Sequence, residues 1–482
     1  MCGKGSVMRP EASVGDRRRR LFYLRRPTSC AVTTTKFPDT AAIVGRKRRE
    51  DAMFIPVRRS DGAVRSTMAV VRFLLKDYHP RDFSVRTWDG SVWEAEAGCP
   101  ERFSMVLRHP GAARRMFLTP SERGLGEAYI YDDFDIEGSL ECALPMAEHL
   151  FRLHPGPLDR LRLASLLLSL PSRLRTMSGR KPAALKGTVH SLERDHDAVT
   201  YHYNTSNSFF CLFLGSDMAY SCAYFSSSDQ DLDCAQGRKH EYVCRKLRLK
   251  AGERLLDIGC GWGGLVRYAV KNFDVTAVGV TLSEPQAHLA NERIRKEGLA
   301  DRCKVEVRDY RRIEASASYD KIASIGMVEH VGEAKLPEYF GQVWRLLRPG
   351  GLFLNHGIAH QRLTSRGSSF SEAFVFPDGD PVAIHVSTRA AELAGFEVRD
   401  VESLREHYAL TLRHWVRALE AHHAEAVQAT DESTYRVWRL FMSASAYQFV
   451  TGRYNVYQSL YAKVDRGNSG LPLTRAGWYE GL

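Results

Sequence analysis

Paired cysteines and long apolar runs are both missing from this sequence. Its ten cysteines include no Cys-x-x-Cys pair, and scattered cysteines in a protein of this length are typical of free thiols in a reducing compartment. The longest apolar runs, such as Leu163–Leu170, are far too short to cross a bilayer. The Arg-rich N-terminus lacks the apolar segment of a signal peptide. We therefore expect a cytoplasmic protein that binds no metal.

Acidic residues are sparse at the N-terminus, where the net charge of +11 is concentrated. Residues 1–60 contain fifteen Lys or Arg and five Asp or Glu, so they carry +10 and the rest is nearly neutral. This distribution argues against a nucleic-acid partner, although a basic tail can contact an anionic lipid surface. We predict a disordered tail over residues 1–64. Met53 and Met68 each precede the first clear apolar pattern, so residues 1–52 are a candidate for an over-extended start.

Residues 65–155 are predicted to form a small α+β domain of a lipid-binding kind. Phe83–Trp93 alternates around an Asp-Gly turn, which indicates a β-hairpin. Helical patterns follow around Pro110–Phe117 and Glu137–Arg152. Residues 156–195 form a basic, leucine-rich and partly helical connector, which either packs between domains or lies on a membrane surface with its leucines down.

From residue 196 to residue 482, short apolar runs of strand length alternate with helical patterns. The predicted strands are Arg254–Ile258, Val275–Val280, Cys303–Arg308, Tyr319–Ile325 and Gly351–His356. The predicted helices are Gly264–Asn272, Glu284–Glu297 and Leu336–Leu347, and the last part, Leu410–Val464, is mostly helical by pattern. This alternation predicts an α/β domain with a parallel sheet flanked by helices.

A glycine-rich turn, Asp257-x-Gly259-x-Gly261-x-Gly263, follows the first of these strands. Glycine lets a backbone turn sharply and approach a ligand closely. A dinucleotide-binding enzyme also needs an acidic residue at the tip of the second strand, where this protein has Thr281-Leu282-Ser283. Gln286, one turn later, is a candidate partner for ribose hydroxyls, and Asp309-Tyr310 after the third strand is a candidate for contacting adenine.

The glycine turn resembles motif I of class I S-adenosylmethionine (SAM)-dependent methyltransferases. Further motifs resemble those of the cyclopropane-fatty-acyl-phospholipid synthases, a group that includes mycolic-acid cyclopropane synthases and the methyltransferases that alkylate carbon atoms of lipid acyl chains. They are Tyr203-Asn204-x-Ser-Asn207, Tyr220–Phe225, Leu256–Gly264, Val280–Ser283, Gly326–Gly332 and the segment through His356. The resemblance covers about residues 195–465 and, weakly, Leu125–Tyr129. It implies a Rossmann-like catalytic domain with a helical C-terminal addition.

The resemblance implies that the methyl carbon of SAM is added to the cis double bond of an unsaturated phospholipid acyl chain at a membrane surface. A cyclopropane ring then closes when a base, understood to be bound bicarbonate, removes a proton. The resemblance assigns bicarbonate binding to Cys222, Glu329, His356 and Tyr408, with the backbone near Ile358. It assigns SAM contacts to Tyr220, Ser221, Asp257, Gly259, Gly261, Gly263, Thr281, Leu282, Gln286, Asp309 and Tyr310.

Two details of that site bear on the mechanism. An anion beside a carboxyl group requires that Glu329 is protonated or bridges through His356. Family members often have a cysteine, sometimes described as catalytic, where this protein has Ser445. Because the mechanism uses no covalent nucleophile, we expect activity without that thiol.

Three other functions remain open from the sequence. The same site would make a methyl-branched or methylene product if the cation were quenched before ring closure. A nucleic-acid methyltransferase would need a polar base-binding loop after the fourth strand, where this protein has Gly326-Met327-Val328-Glu329-His330. A non-catalytic lipid-binding protein with a relic SAM fold is disfavoured by the intact glycine turn. A peripheral membrane association and a homodimer are further expectations.

Overall fold

The computed structural model describes residues 62–480, apart from 173–177, 204, 315 and 361–368. The predicted tail lies outside the described residues except for its last three positions, which belong to helix α1 (Gly62–Leu74). Within these described ranges, no helix is both long enough and apolar enough to span a bilayer.

The N-terminal part is a four-stranded sheet with helices packed around it. Its strands are β1 (Phe83–Arg86), β2 (Val92–Trp93), β3 (Phe103–Leu107) and β4 (Phe134–Gly138), in the order β2-β1-β3-β4, and its helices are α2 (Ala112–Phe117), α3 (Glu122–Ile130) and α4 (Leu140–Arg152). The predicted hairpin is present, because β1 and β2 pair antiparallel. The predicted helix from Glu137 starts too early. Glu137 lies in β4, and the Ser139 hydroxyl caps α4 by accepting a hydrogen bond from the Cys142 amide.

The connector has an exposed half and a packed half. Its helix α5 (Pro157–Leu168) is largely exposed, and α6 (Leu192–Tyr203) and α7 (Asn207–Cys211) follow it. Arg180 lies between α5 and α6, where its amide donates to Ser433 and its carbonyl accepts from Tyr131. The Arg180 guanidinium also donates to the carbonyl of Phe374 at 2.9 Å. The second half of the connector is therefore wedged between the N-terminal sheet unit and the C-terminal helices.

The predicted parallel sheet is confirmed. A seven-stranded sheet has the order β10-β11-β9-β8-β5-β6-β7, in which β9, β8, β5, β6 and β7 are parallel neighbours. Its strands are β5 (Arg254–Ile258), β6 (Thr276–Thr281), β7 (Cys303–Val307), β8 (Tyr319–Ile325), β9 (Leu347–His360), β10 (Glu397–Ser403) and β11 (Tyr454–Ala462). The helices are α8 (Leu232–Lys246), α9 (Gly264–Phe273), α10 (Glu284–Lys296), α11 (Leu336–Leu346), α12 (Ser369–Phe374), α13 (Ile384–Leu393), α14 (Arg405–Ala421), α15 (His423–Ala429), α16 (Glu432–Val450) and α17 (Ala476–Tyr479).

The prediction that Leu410–Val464 is mostly helical is wrong at its end. Helix α16 stops at Val450, Gly452 turns the backbone with a φ of 71°, and β11 then inserts antiparallel between β9 and β10. Both faces of β11 are buried: Leu460 and Tyr461 are 1% and 0% exposed. A strand that is buried on both faces lacks the alternation that marks a half-exposed strand.

The N-terminal sheet unit and the C-terminal helices share one apolar core, which runs from Val70 on α1 to Val456 on β11. Two buried arginines of α16 cross this boundary. Arg436 donates to the carbonyl of Tyr129 at 3.0 Å and pairs with Asp135. Arg439 donates to the Tyr129 hydroxyl and to the carbonyls of Ile136 and Gly138. Buried guanidinium groups are costly unless they are paired, so these contacts fix the unit against α16.

Candidate active site

The glycine turn after β5 opens onto a cavity. Gly259, Gly261 and Gly263 have φ values of 78°, 53° and 76°, a region that other residues adopt only with strain. The amide of Gly259 donates to the carbonyl of Val280 at 2.9 Å, which ties the turn to β6. A Cβ on Gly261 would meet nothing within 4 Å, whereas one on Gly263 would lie 3.2 Å from an alanine of α10. Gly261 therefore borders open space, and Gly263 allows helices α9 and α10 to pack.

We call this space the cofactor cavity; it spans about 900 Å³ when the part open to solvent is included. Seven predicted SAM contacts line it: Gly259, Gly261, Thr281, Leu282, Gln286, Asp309 and Tyr310. It lies at the carboxyl ends of parallel strands, where open α/β sheets bind ligands. The Thr281 hydroxyl donates to Oε1 of Gln286 at 2.8 Å. This bond leaves the amide nitrogen of Gln286 to serve as a donor to another group.

The carboxylate of Asp309 is already engaged by Arg311. It accepts from the backbone amide of Arg311 at 2.8 Å, from Nε at 3.0 Å and from a terminal nitrogen at 2.6 Å. Arg311 also pairs with Asp195 on α6 at 3.0 Å. Through Arg311, Asp309 therefore links the end of β7 to α6, the helix that covers the cavity. Burial raises the pKa of the neighbouring Tyr310.

Helix α6 supplies one wall of the cofactor cavity that sequence reasoning missed. Asp195, Ala198, Val199 and Tyr203 line the cavity from this helix. Burial, and then the charge of Glu329, raises the pKa of Tyr203 above its usual range. Tyr203 belongs to a motif on which the family resemblance rests, so a signal was present, but the sequence does not indicate which cavity its ring would face.

Four predicted SAM contacts do not line the cofactor cavity: Tyr220, Ser221, Asp257 and Gly263. Two of them interact with a buried lysine on α8, Lys239, which is 2% exposed. Lys239 Nζ donates to the Ser221 hydroxyl at 3.2 Å. Burial raises the pKa of Asp257 to about 7, and the positive charge of Lys239 opposes that rise. Burial lowers the pKa of Lys239 to about 8. Tyr220 instead stacks on Trp415, with ring centroids 5.3 Å apart.

Glu329 lies in the Gly326–Val331 loop after β8 and is 5% exposed. Its Oε1 accepts a hydrogen bond from the backbone amide of Ile358 at 2.7 Å. The family resemblance assigns this amide to anion binding, but here it donates to Glu329. Its Oε2 is buried and has no hydrogen-bond partner among the residues that the structure describes. Burial raises the pKa of Glu329 to about 7, against the lowering effect of the Ile358 hydrogen bond. Glu329 is therefore protonated up to near neutral pH.

His356 lies on β9 beside Gln458 of β11. Its Nδ1 lies 3.3 Å from the side-chain amide nitrogen of Gln458. With the amide assigned in this orientation, Nδ1 accepts, and a neutral imidazole that accepts at Nδ1 carries its proton on Nε2. That Nε2 is buried without a partner in the described part of the protein, and burial lowers the pKa of His356 to about 3. His356 is thus a neutral donor that is not hydrogen-bonded to Glu329. An anion could sit beside Glu329 if its carboxyl group were protonated or if it were bridged through His356. The geometry supports protonation and does not support the bridge.

Cys222 and Tyr408 complete the predicted anion-binding group. Cys222 is 1% exposed, and burial raises the pKa of its thiol far above the usual range. The pKa of Tyr408 is raised well above its usual range, first by burial and then by Cys222, Glu329 and Tyr203 nearby. Both groups therefore keep their protons. Among the described residues, no three His, Cys, Asp or Glu side chains form a group that could hold a metal ion.

A second, largely apolar cavity reaches Glu329 and Ile358 from the other side; it spans about 2370 Å³ when the part open to solvent is included. We call it the acyl cavity, after the acyl substrate that the family resemblance implies. Its far wall is built by the N-terminal unit, including Met105, Leu140 and Phe151. Helix α16 and β11 supply further wall residues: Leu440, Phe441, Ala444, Ser445, Gln448, Phe449 and Tyr454. Ser445 is therefore a wall residue of the acyl cavity.

The parallel sheet, the glycine turn and the cavity at its carboxyl edge define a SAM-dependent methyltransferase. The family model for mycolic acid cyclopropane synthetase matches residues 190–459. The protein belongs to this family and is a SAM-dependent enzyme.

Known proteins resemble this one over most of their length. It is 36% identical over 404 residues to a probable fatty acid methyltransferase of Pseudomonas putida, covering 82% of this protein and 96% of the relative. It is 31% identical over 368 residues to the cyclopropane-fatty-acyl-phospholipid synthase of Escherichia coli K12, covering 74% and 87%. A solved structure, mycolic acid cyclopropane synthase CmaA1 complexed with SAH and CTAB, is 33% identical with a TM-score of 0.53, covering 55% of this protein and 97% of that one.

Proposed function

We propose that the protein adds the methyl carbon of SAM to the cis double bond of an unsaturated phospholipid acyl chain and forms a cyclopropane ring. The position of the Gly326–Val331 loop between two cavities carries this proposal. Gly326, Met327 and His330 face the cofactor cavity, whereas Glu329 faces the acyl cavity. A methyl donor in the first cavity and an alkene in the second would meet at this loop.

The cofactor cavity fits SAM through its glycine cradle. The open space at Gly261 leaves room for a ligand against the backbone, and the amide nitrogen of Gln286 is suited to ribose hydroxyls. When bound, SAM supplies an electrophilic methyl group. The alkene is itself the nucleophile, so the protein needs no base to start the reaction, and its residues have only to align the two partners.

The acyl cavity is suited to a long aliphatic substrate. Its lining is largely apolar and extends from Phe151 of the N-terminal unit to Ile358 beside Glu329, and apolar walls favour an aliphatic chain over a polar ligand. Methyl transfer to an alkene produces a carbocation, which water would destroy, so an apolar wall protects it. Aromatic rings at Phe376, Phe441, Phe449 and Tyr454 line the cavity. A ring whose face meets the cation stabilises it by roughly 0.5–2 kcal/mol.

The residues around Glu329 fit a bound anion, for which we propose bicarbonate. Glu329 Oε2 and His356 Nε2 are both buried without partners among the described residues. At neutral pH and below, protonated Glu329 and neutral His356 both have a proton to donate, as does Tyr408. The protonated Cys222 thiol donates to the carbonyls of Ala223 and Leu404 and would have to turn toward the anion. Tyr408 is close enough to Glu329 and Cys222 for their charges to raise its pKa, and hydrogen-bond donors near one position favour a negative charge there. Bicarbonate would supply the acceptor for the proton that must leave before the ring closes.

Methyl or methylene branching of the same lipid is the second candidate. It differs in how the cation is resolved: a hydride shift along the chain followed by loss of a proton leaves a methylene or a methyl-branched alkene in place of the ring. Both products therefore need the same cavities. The protein is more similar to the Pseudomonas putida relative, named a probable fatty acid methyltransferase, than to the Escherichia coli synthase, at 36% against 31% identity. This difference supports branching as a second candidate.

A direct assay separates these products. The purified enzyme would be incubated with SAM carrying a labelled methyl group and with unsaturated phospholipid, and the fatty-acid methyl esters would be resolved by gas chromatography and NMR. We expect labelled carbon in a cyclopropane ring. Labelled carbon in a methyl branch would support the second candidate, and no labelled lipid with intact SAM binding would refute both. We infer that the enzyme meets its lipid peripherally, on the cytoplasmic side of a membrane.

A further inference from the structure

The leucines of helix α5 and of the residues just after it form two groups, one buried against the protein and one exposed. Leu167, near the end of the helix, and Leu170, just beyond it, are each 1% exposed. Leu158, Leu161 and Leu168 point away from the protein and are exposed by 82%, 70% and 56%. The leucine-rich connector therefore packs with one face and presents the other to its surroundings.

Basic residues flank the outward leucines. At about 100° per residue, the three leucines fall within an arc of about 80° on the helix surface. Arg160 and Arg162 are both exposed and lie on either side of this arc, whereas the acidic residue of the helix, Asp159, is half-buried. We call Leu158, Leu161, Leu168, Arg160 and Arg162 the α5 patch.

The α5 patch follows closely on the mouth of the acyl cavity. Phe151, near the end of α4, lines that cavity and is also 42% exposed, so the cavity reaches the surface there. Only residues 152–156 separate Phe151 from the start of α5. Arg114 donates to the carbonyls of Leu168 and Leu170, which fixes the end of α5 to the N-terminal unit that builds the cavity wall.

We propose that the α5 patch docks on an anionic phospholipid bilayer and holds the mouth of the acyl cavity at the lipid surface. This inference rests on the proposed function, because a lipid substrate must leave a bilayer to enter the cavity. The leucine arc would lie at the boundary of headgroups and acyl chains. Arg160 and Arg162 would extend along it to reach lipid phosphates, as long basic side chains do at such interfaces.

Full-length variants test the proposal by vesicle flotation. The probes are vesicles of unsaturated phosphatidylglycerol and of unsaturated phosphatidylcholine, and the test variant is Leu158→Ser/Leu161→Ser. The control is Leu393→Ser/Leu473→Ser, two leucines that are 77% and 105% exposed elsewhere on the surface. A second variant, Arg160→Gln/Arg162→Gln, isolates the charges. Product formation is measured with vesicles and with the same lipid dispersed in detergent.

We expect the leucine variant to bind phosphatidylglycerol vesicles at least about tenfold more weakly and to lose vesicle activity equally, with activity on dispersed lipid unchanged. The arginine variant should lose the preference for phosphatidylglycerol, and the control should match the parent. Unchanged vesicle binding of the leucine variant would overturn the proposal. So would a change from dimer to monomer with vesicle binding retained, which would make the patch an interface between copies. If the parent converts no dispersed lipid, the proposed function fails, while flotation still decides whether the patch binds lipid.

Discussion

Replacing Glu329 by Gln tests the buried carboxyl group by its effect on stability. Burial raises the pKa of Glu329 from 4.5 to about 7, a difference of about 3 kcal/mol between its two protonation states. The folded protein keeps this proton at pH values where the unfolded protein has released it. The parent therefore loses stability as pH rises from 4.5 through 7, and Glu329→Gln does not lose this contribution.

The free energy of unfolding would be measured by urea denaturation from about pH 5 to about pH 8. Across this range, the free energy of unfolding of the parent should fall by about 2–3 kcal/mol more than that of Glu329→Gln. Asp257, whose pKa is also raised to about 7, titrates equally in both proteins and cancels. Any constant cost of burying the Gln amide cancels as well. Glu425→Gln, on an exposed carboxyl of α15, should show no such change.

The same variant tests the mechanism. Glu329→Gln should bind SAM nearly as well as the parent, because Glu329 faces the acyl cavity and not the cofactor cavity. Product formation should fall by about 10²–10⁴, because without protonated Glu329 the bicarbonate that accepts the proton is no longer positioned, and losing a positioned proton acceptor usually costs that much. A stability difference that does not vary with pH would refute the raised pKa. Full activity in the purified variant would refute the role of Glu329 in proton removal.

The two cavities lead to three further expectations. Gly261→Val should abolish SAM binding by calorimetry, because its side chain would fill space that is now open; unchanged affinity in a folded variant would contradict the assignment of that cavity. Bicarbonate added to the carefully depleted parent should stimulate activity, and should stimulate Glu329→Gln less; no effect of depletion on the parent would rule bicarbonate out. Ala147→Trp, within the acyl cavity wall, should lower product from long acyl chains by roughly tenfold and leave SAM affinity unchanged; equal rates on long substrates would show that they do not pass this wall.

Local pattern located the cofactor half of the molecule well. The bounds of β5 and β8 agree with prediction to the residue, since each is a short apolar run ended by a glycine turn. The same logic brought Thr281 and Gln286 to one cavity, because a strand tip and the first turn of the following helix are neighbours in any βα unit.

Long-range contacts could not be predicted in this way. Lys239 lies in a charged helical stretch, where a lysine is normally solvated, and only the tertiary fold buries it near Asp257. His356 and Gln458 are 102 positions apart, and their contact depends on β11, a strand that the sequence pattern concealed. The contact between His356 and Gln458 therefore follows from the antiparallel insertion and from no local motif.

The two arginines of α16 that contact the N-terminal unit affect how the protein unfolds. Arg436 and Arg439 are 6% and 7% exposed, and their partners include the carbonyls of Tyr129, Ile136 and Gly138. Separating the two parts would strip both guanidinium groups of buried partners and expose a shared apolar core. Heat or denaturant should therefore melt both parts in one cooperative transition, and a protease cut in the connector should leave the fragments associated under native conditions.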